Sequence, residues 1–259
     1  MKISFIGSGR VASHLAQTLK NDHQIVQIMS PTLTNAEHLA QTVGAEAITT
    51  LAQLDAAVDV VFIAVSDQAI SSVIAALPAH MCNVLLLHTS GSTSIQVFSP
   101  NLSRVGVFYP LQSFSFERTV DWLSTPLLIE AKQTQDLDLL KLLAESLSNK
   151  VFCYDSTQRL SLHLAAVFAC NFSNYCYDAA AQLLDGAQVD FELLYPLILE
   201  TANKATQHLP QLMQTGPAVR QDHNILSLHQ QLLAQAQRPD LSELYQLMSQ
   251  AIVKRHHGE

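Results

Sequence analysis

Short apolar runs alternate with amphipathic stretches through the first half of the chain. Ile3–Ile6, Ile25–Met29, Val58–Val65, Val84–His88, Arg104–Phe108 and Pro126–Ile129 have the length and content of strands, with a shorter one at Ala47-Ile48. The run VDVVFIAV at 58–65 is almost unbroken, which is the pattern of a strand buried on both faces. Arg10–Lys20, Asn35–Val43 and Asp67–Ala76 read as helices between strands, and in the first of these Val11, Leu15 and Leu19 share one face. Such alternation predicts a parallel sheet with right-handed crossovers.

The pattern changes in the second half. Gln135–Leu147 reads as a helix that closes the first domain, and from about Ser156 no strand stands out. Helical patterns cover Gln158–Leu184, Asp190–His208, Pro217–Gln237 and Leu241–Arg255. Thr215-Gly216-Pro217 reads as a helix start with proline in the first turn, whereas Pro196 falls inside a pattern and should kink it. Leu160–Leu184 is apolar nearly all round, so a central buried helix is expected there. The division falls near residue 150, giving an α/β domain over 1–150 and an all-helical substrate or dimerisation domain over 151–259.

The turn after the first strand gives the α/β half its chemistry. Gly7-Ser8-Gly9-Arg10-Val11-Ala12 matches G-x-G-x-x-G/A between a strand and a helix. The first glycine permits the tight turn, and the second lets a pyrophosphate approach the backbone. The small Ala12 lets helix and strand pack closely. Free N–H groups and the positive helix end then face the phosphates. The expected fold is therefore a Rossmann-type doubly wound parallel sheet, followed by a helical C-terminal domain. The second strand ends Met29-Ser30-Pro31-Thr32 without the acid that usually holds an NAD ribose. This favours NADP over NAD, with Ser30, Thr32 and Arg10 as candidate contacts to the 2′-phosphate. Val65 and Ser66, at the end of the long buried strand, are further cofactor candidates.

Composition narrows the partners. The net charge is −8, each half contributes −4, and no basic stripe suited to nucleic acid is present. No apolar run is long enough to span a membrane, and no leader pattern opens the chain, so a cytoplasmic location is expected. Cys82, Cys153, Cys170 and Cys176 form no C-x-x-C pair and read as buried free thiols, with no metal site.

Ligands of such sheets lie outside the carboxyl ends of the strands. Three polar segments fall there: Ser66-Asp67, Thr89-Ser90-Gly91-Ser92 and Tyr109-Pro110-Leu111-Gln112-Ser113-Phe114. Asp67 reads chiefly as a helix N-cap, and His88 as a second-choice proton donor. Helical spacing places His163, Asn171, Asn174 and Asp178 on one face of Leu160–Leu184. His163 and Asn171 are the preferred substrate-facing pair, although partners for neighbouring helices would satisfy them equally. Arg220, with Asp222 and His223, falls in the first turns of the helix expected from Pro217, where Arg220 suits a carboxylate.

The order GSGRVA, VVFIAVSD, LHTSGS, YPLQSF, HLAAVFACNF and GPAVRQD resembles a bacterial family of NAD(P) oxidoreductases over nearly the whole chain. Its members join a Rossmann-like domain to a helical domain of unknown function and are similar to deazaflavin-dependent NADP oxidoreductases. More distantly, the layout is similar to the 6-phosphogluconate dehydrogenase-like superfamily. That likeness implies a helical domain supplying substrate contacts and a dimer interface. Two departures stand out. The family's HPLQ is Tyr109-Pro110-Leu111-Gln112 here, and the lysine expected four residues before Asn171 is Val167, so no lysine-based mechanism transfers. The reading is a homodimeric NADP-linked reductase of a small oxo acid or imine. His163 or His88 would supply the proton, Asn171 and Ser90 would orient the reacting group, and Arg220 would hold a carboxylate. The alternatives are a catalytically silent dinucleotide-binding sensor or scaffold, and an enzyme whose hydride partner is a deazaflavin.

Overall fold

The computed structural model describes residues 1–258. The chain divides into two compact units, Met1–Cys170 and a second that begins at Asn171.

The first unit is built on one eight-stranded sheet. Its elements are β1 (Lys2–Ile6), α1 (Arg10–Leu19), β2 (Gln24–Met29), α2 (Leu33–Val43), β3 (Glu46–Ile48), β4 (Val60–Ile63), α3 (Asp67–Ala75), β5 (Leu85–His88) and β6 (Val105–Pro110). There follow β7 (Leu127–Ala131), α4 (Thr134–Glu145), β8 (Val151–Cys153) and α5 (Ser156–Ala166). The strand order is β3-β2-β1-β4-β5-β6-β7-β8. The first six strands are parallel, β7 runs antiparallel to β6, and β8 is parallel to β7. The order reverses direction between β1 and β4, the kind of switch point at which such sheets bind ligands.

Alternate strand residues feed two cores. Ile3, Phe5, Phe62, Leu85, Leu87 and Phe108 meet Ala12, Leu15 and Leu19 of α1 and Leu140 and Leu143 of α4. On the other face, Ile6, Val61, Ile63 and Leu86 meet Ile70 and Ile74 of α3 and Phe98. Phe5 and Phe62 stack at 5.0 Å between centroids, and Phe62 meets Phe108 edge-on at 5.5 Å. Each such side chain contributes about 1.5–3 kcal/mol on burial.

The two compact units meet in the chain at 170/171. Both β8, a three-residue strand, and α5 join the sheet unit. α5 opens on a capping box: Asp155 accepts from the Gln158 amide at 2.8 Å, and the Gln158 side chain accepts from the Asp155 amide at 3.1 Å.

The second unit holds α6 (Ser173–Gly186), α7 (Tyr195–Gln207), α8 (His223–Gln235) and α9 (Pro239–His257). Its buried core is small, Ala179, Leu233 and Leu241 with Leu244 and Tyr245 against it. Four expectations are corrected here. Leu160–Leu184 is not one buried α-helix. A π-helical turn at Val167–Phe172 separates α5 from α6, and Leu164, Phe168, Phe172 and Tyr175 are exposed. Periodicity reports that a helix is apolar all round, not what covers it. Pro196 lies in the first turn of α7, where its missing N–H costs nothing, so it kinks no helix. Gly216-Pro217 opens a turn, and α8 starts only at His223, capped by Asp222, which accepts from the Ile225 amide at 3.3 Å. Among the described residues no helix is long and apolar enough to cross a membrane. Cys82, Cys153 and Cys170 are exposed thiols and Cys176 is half-buried, contrary to the buried setting expected from their apolar neighbours.

Candidate functional site

The Gly7–Ala12 turn has the geometry that its sequence predicts. Gly7 sits at φ +111°, and its amide donates to the Met29 carbonyl at 2.8 Å. A Cβ there would fall 2.2 Å from the Ala64 carbonyl oxygen, so β1 and β4 meet around a residue that must be glycine. Gly9 is the N-cap of α1 and offers no side-chain cap. The first turn carries no acid, and the space beside the Gly9 Cα is open. The helix end therefore keeps unpaired N–H groups and a positive dipole end, which fit a pyrophosphate. Ala12 is fully buried against the sheet. Ser8 and Val11 flank the turn half-buried, with the Ser8 carbonyl accepting from Ser13 Oγ at 3.4 Å.

Arg10 is exposed, and its guanidinium lies 5.8 Å over the Phe116 ring. Phe116 belongs to the connection between β6 and β7. This connection is also fastened to α1 by His14, whose Nε2 pairs with the Ser115 carbonyl at 2.8 Å. At the end of β2, Ser30 is buried with its amide donating to the Ile48 carbonyl, and Thr32 is the exposed N-cap of α2. Val65 packs half-buried against the second core, and Ser66, not Asp67, is the N-cap of α3. Asp67 is the first residue of α3, and its carboxylate accepts from Ser92 Oγ at 2.5 Å.

A side-chain cluster stands at the carboxyl ends of β4, β5 and β6. Ser90 Oγ accepts from the amides of Ser92 and Thr93 at 3.1 and 3.0 Å, which folds the loop after β5 into a tight turn. Tyr109 Oη and His163 Nδ1 are 3.1 Å apart, with the two rings edge-to-face. Gly91 lies against this pair: a Cβ on it would fall 2.6 Å from Tyr109 Cζ and 2.7 Å from His163 Nδ1. Burial, followed by the nearby Asp67 charge, pushes the Tyr109 phenol up to about 12. The pair is thus a protonated phenol against an imidazole, gripped by a residue that leaves no spare room.

His88, expected as a second-choice proton donor, stands at the end of β5. It is fully buried, stacks on Phe98 at 5.8 Å, and accepts the Ser90 amide on Nδ1 at 3.2 Å. Burial, and then the Arg159 charge, lowers its pKa to about 3. It stays neutral at physiological pH and shapes the loop.

Two residues that the sequence reading passed over hold the cluster in place. Arg159 is 1% exposed on α5, one turn before His163. Its Nη1 donates to Glu130 Oε2 at 2.5 Å, and its Nη2 donates to the Thr93 carbonyl at 2.6 Å. Ser156 Oγ donates to the same Glu130 oxygen at 2.8 Å and accepts the Ile95 amide. This network ties α5, β7 and the loop after β5 together. Its trace in the sequence is slight: one acid in the apolar run LLIEA, and an arginine four residues before His163.

Ser90, Gly91, Tyr109 and His163 are thus assembled within the first unit. Asn171, Asn174, Asp178 and Arg220 belong to the second. Asn171 lies on the π-helical turn, which breaks the 100° phase used to align it with His163. Asn171 and Asn174 are exposed, and Asp178 accepts from Gln182 Nε2 at 2.6 Å. Arg220 is exposed on the turn before α8, rather than within its first helical turns. Among the described residues no three His, Cys, Asp or Glu side chains gather as metal ligands.

Residues 2–87 match the family described as NADP oxidoreductase, coenzyme F420-dependent, and residues 125–252 match a domain of unknown function, DUF2520. The crystal structure of BF3122 from Bacteroides fragilis, a candidate NADP oxidoreductase, is similar at 39% identity. That likeness covers 98% of each chain with a TM-score of 0.89. Protein TM1727 from Thermotoga maritima is similar at 23% identity over 99% of this chain and 98% of that one, with a TM-score of 0.69. An imine reductase from Myxococcus stipitatus, solved with NADP+, shares the fold at 13% identity, covering 100% of this chain and 96% of that one, with a TM-score of 0.70. No curated protein matches the chain. The Gly-rich turn, the switch-point sheet, the helical C-terminal half and the full-length likeness to the Bacteroides protein place this chain in that protein's family, of Rossmann-type NAD(P)-binding domains joined to a helical C-terminal domain.

Proposed function

We propose that the protein is a reductase that uses NADPH to reduce a small oxo acid or imine. The observation that carries this is the first unit's combination of an uncapped, acid-free α1 N-terminus and the Tyr109–His163 pair, both at carboxyl ends of the sheet. Gly7, Ser8, Gly9, Arg10, Val11 and Ala12 would hold the pyrophosphate, with Val65 and Ser66 beside it. Ser30 and Thr32 would receive the adenosine end, where no acid stands against a 2′-phosphate. NADPH supplies a hydride when bound. The chain's own part is to hold the substrate, exclude water and deliver a proton. His163 delivers that proton, and Ser90 shapes the loop beside it. The imine reductase and a pyrroline-5-carboxylate reductase from Coxiella burnetii, alike in fold at 13% and 14% identity, are consistent with reduction at a C=N bond.

Several exposed leucines of the second unit, among them Leu193, Leu197, Leu209, Leu212 and Leu247, favour a homodimer in which a second copy covers them. Exposed thiols fit a reducing, cytoplasmic setting. Light scattering at micromolar protein tests the dimer, and a monomeric mass would rule it out. For the reaction, thermal unfolding is followed with NADPH, NADH and neither. NADPH at about 1,000 times its Kd stabilises by roughly 4 kcal/mol, which moves the midpoint by several degrees. Loss of NADPH absorbance with a panel of oxo acids and cyclic imines then identifies the substrate. No shift with either nucleotide would sink the proposal. The match of residues 2–87 to coenzyme F420-dependent oxidoreductases favours a second reading, a deazaflavin as hydride partner, which NADPH-driven bleaching of that coenzyme would reveal.

A further inference from the structure

We infer that Tyr109 is a positioning residue. Its hydroxyl donates to Nδ1 of His163, fixes the ring, and keeps the proton of the neutral imidazole on Nε2, the nitrogen that serves the substrate. The inference rests on the reading of His163 as the proton donor.

The geometry carries it. Nδ1 and Oη are within hydrogen-bond distance, and neither atom has another hydrogen-bond partner among the described residues. Nε2 makes no hydrogen bond among the described residues, and His163 is half-buried, so this nitrogen remains available. With the proton on Nδ1 instead, the phenol would have to accept, and its own O–H would lose its acceptor on the protein. A phenol donates well and accepts weakly, so the Oη–H to Nδ1 arrangement wins. The charged and titratable groups acting on the pair are Asp67 at the start of α3, Arg159 on α5 and Cys170 on the π-helical turn. Burial and Asp67 both keep the phenol proton in place, and Arg159 opposes them. Gly91 allows the pair its close fit, since any side chain there would push the rings apart.

The pairing also resupplies the proton. Reduction of a carbonyl carbon would leave the substrate oxygen as an alkoxide in need of a proton. The His163 Nε2–H bond breaks as the substrate O–H bond forms. The Tyr109 O–H bond breaks as Nδ1–H forms, which leaves a phenolate; the starting state returns when water protonates Nε2 and the Nδ1 proton goes back to Tyr109 Oη. An alkoxide is a stronger base than a phenolate, so the transfer runs downhill.

The test needs no substrate. Nitrogen-15 NMR of the imidazoles in the intact protein, at a pH where His163 is neutral, should show one ring tautomer with the proton on Nε2. Tyr109→Phe removes one oxygen, and His163 should then relax to the mixture of tautomers of a free histidine. A proton on Nδ1 or a mixture in the wild-type protein would overturn the inference, and so would unchanged nitrogen shifts in the variant. The wild-type measurement decides even if the variant folds poorly. Where a substrate is in hand, Tyr109→Phe should lower kcat about tenfold and leave the NADPH Kd unchanged, against about 10²–10⁴-fold in kcat for His163→Ala. If the tautomers respond as expected while no oxo acid or imine consumes NADPH, the reductase reading falls and the Tyr109 assignment stands.

Discussion

The two units bury their apolar side chains in opposite ways. The sheet unit closes a core on each face, and its largest aromatic residues, Phe5, Phe62 and Phe108, touch one another in the middle. The helical unit closes a small core around Ala179, Leu233 and Leu241 and leaves several leucines and aromatics exposed. A sheet with helices on both faces is self-sufficient. A set of helices apolar on more than one face needs another surface. The first unit therefore owes its stability to its own packing, whereas the second leaves apolar surface that the dimer proposed above would cover.

Substitutions can break or sharpen this contrast. The largest effect is expected from Phe62→Ala, which should cost about 3–5 kcal/mol in urea unfolding, as for other large-to-small core changes. Leu197→Ala, at an exposed position, should leave unfolding of dilute protein within about 0.5 kcal/mol and act instead on self-association. An equal loss from both would erase the distinction. Next comes Arg159→Met. It strands Glu130 beside a buried site and should cost about 3 kcal/mol, while the double variant with Glu130→Gln should recover part of that. If the double variant is no better than the single, the ion pair does not couple the two positions.

Acid should single out the sheet unit. His88 has a pKa near 3 when folded and 6.5 as its reference value. The unfolded chain therefore binds the extra proton first as pH falls. His88 contributes its stability fully above pH 6.5 and loses it progressively between 6.5 and 3. Lowering the pH from 7 to 5 should cost about 1–2 kcal/mol through this residue. Denaturant midpoints for wild type and His88→Gln should converge towards acid, and parallel curves would show that His88 carries no such linkage. The smallest effect is at a helix end in the other unit: Asp222→Ala removes the α8 cap and should cost about 1 kcal/mol in thermal unfolding.

Most of the sheet was legible because its signals are local. Gly7, Gly9 and Ala12 sit between a strand and a helix, and the strands from Val60 to His88 are apolar runs. Where signals were short or non-local, reading failed. Three residues, Val151–Cys153, are too few to show a period, so β8 has no trace in the sequence pattern. The π-helical turn has no sequence signature, yet it shifts everything after Cys170 out of phase with His163. Glu130 and Arg159 are 29 residues apart, and Tyr109 and His163 are 54 apart. No helical or strand spacing joins such pairs. They meet only because β6, β7 and α5 come together at one end of the sheet. Tyr109 was noticed as part of a polar strand-end segment, but not as the partner of the histidine already singled out.

The bare first turn of α1 makes the helix an unfinished one. Its amides at Ser8–Val11 have no side chain to receive them, so they should exchange with deuterated solvent fastest among those of the helix and slow when a phosphate arrives. An aspartate at position 9 would complete the helix by itself, steadying the free protein while shutting out the phosphate by charge. Robustness and recruitment are thus set against each other at a single residue, and the glycine found there resolves the conflict in favour of the guest.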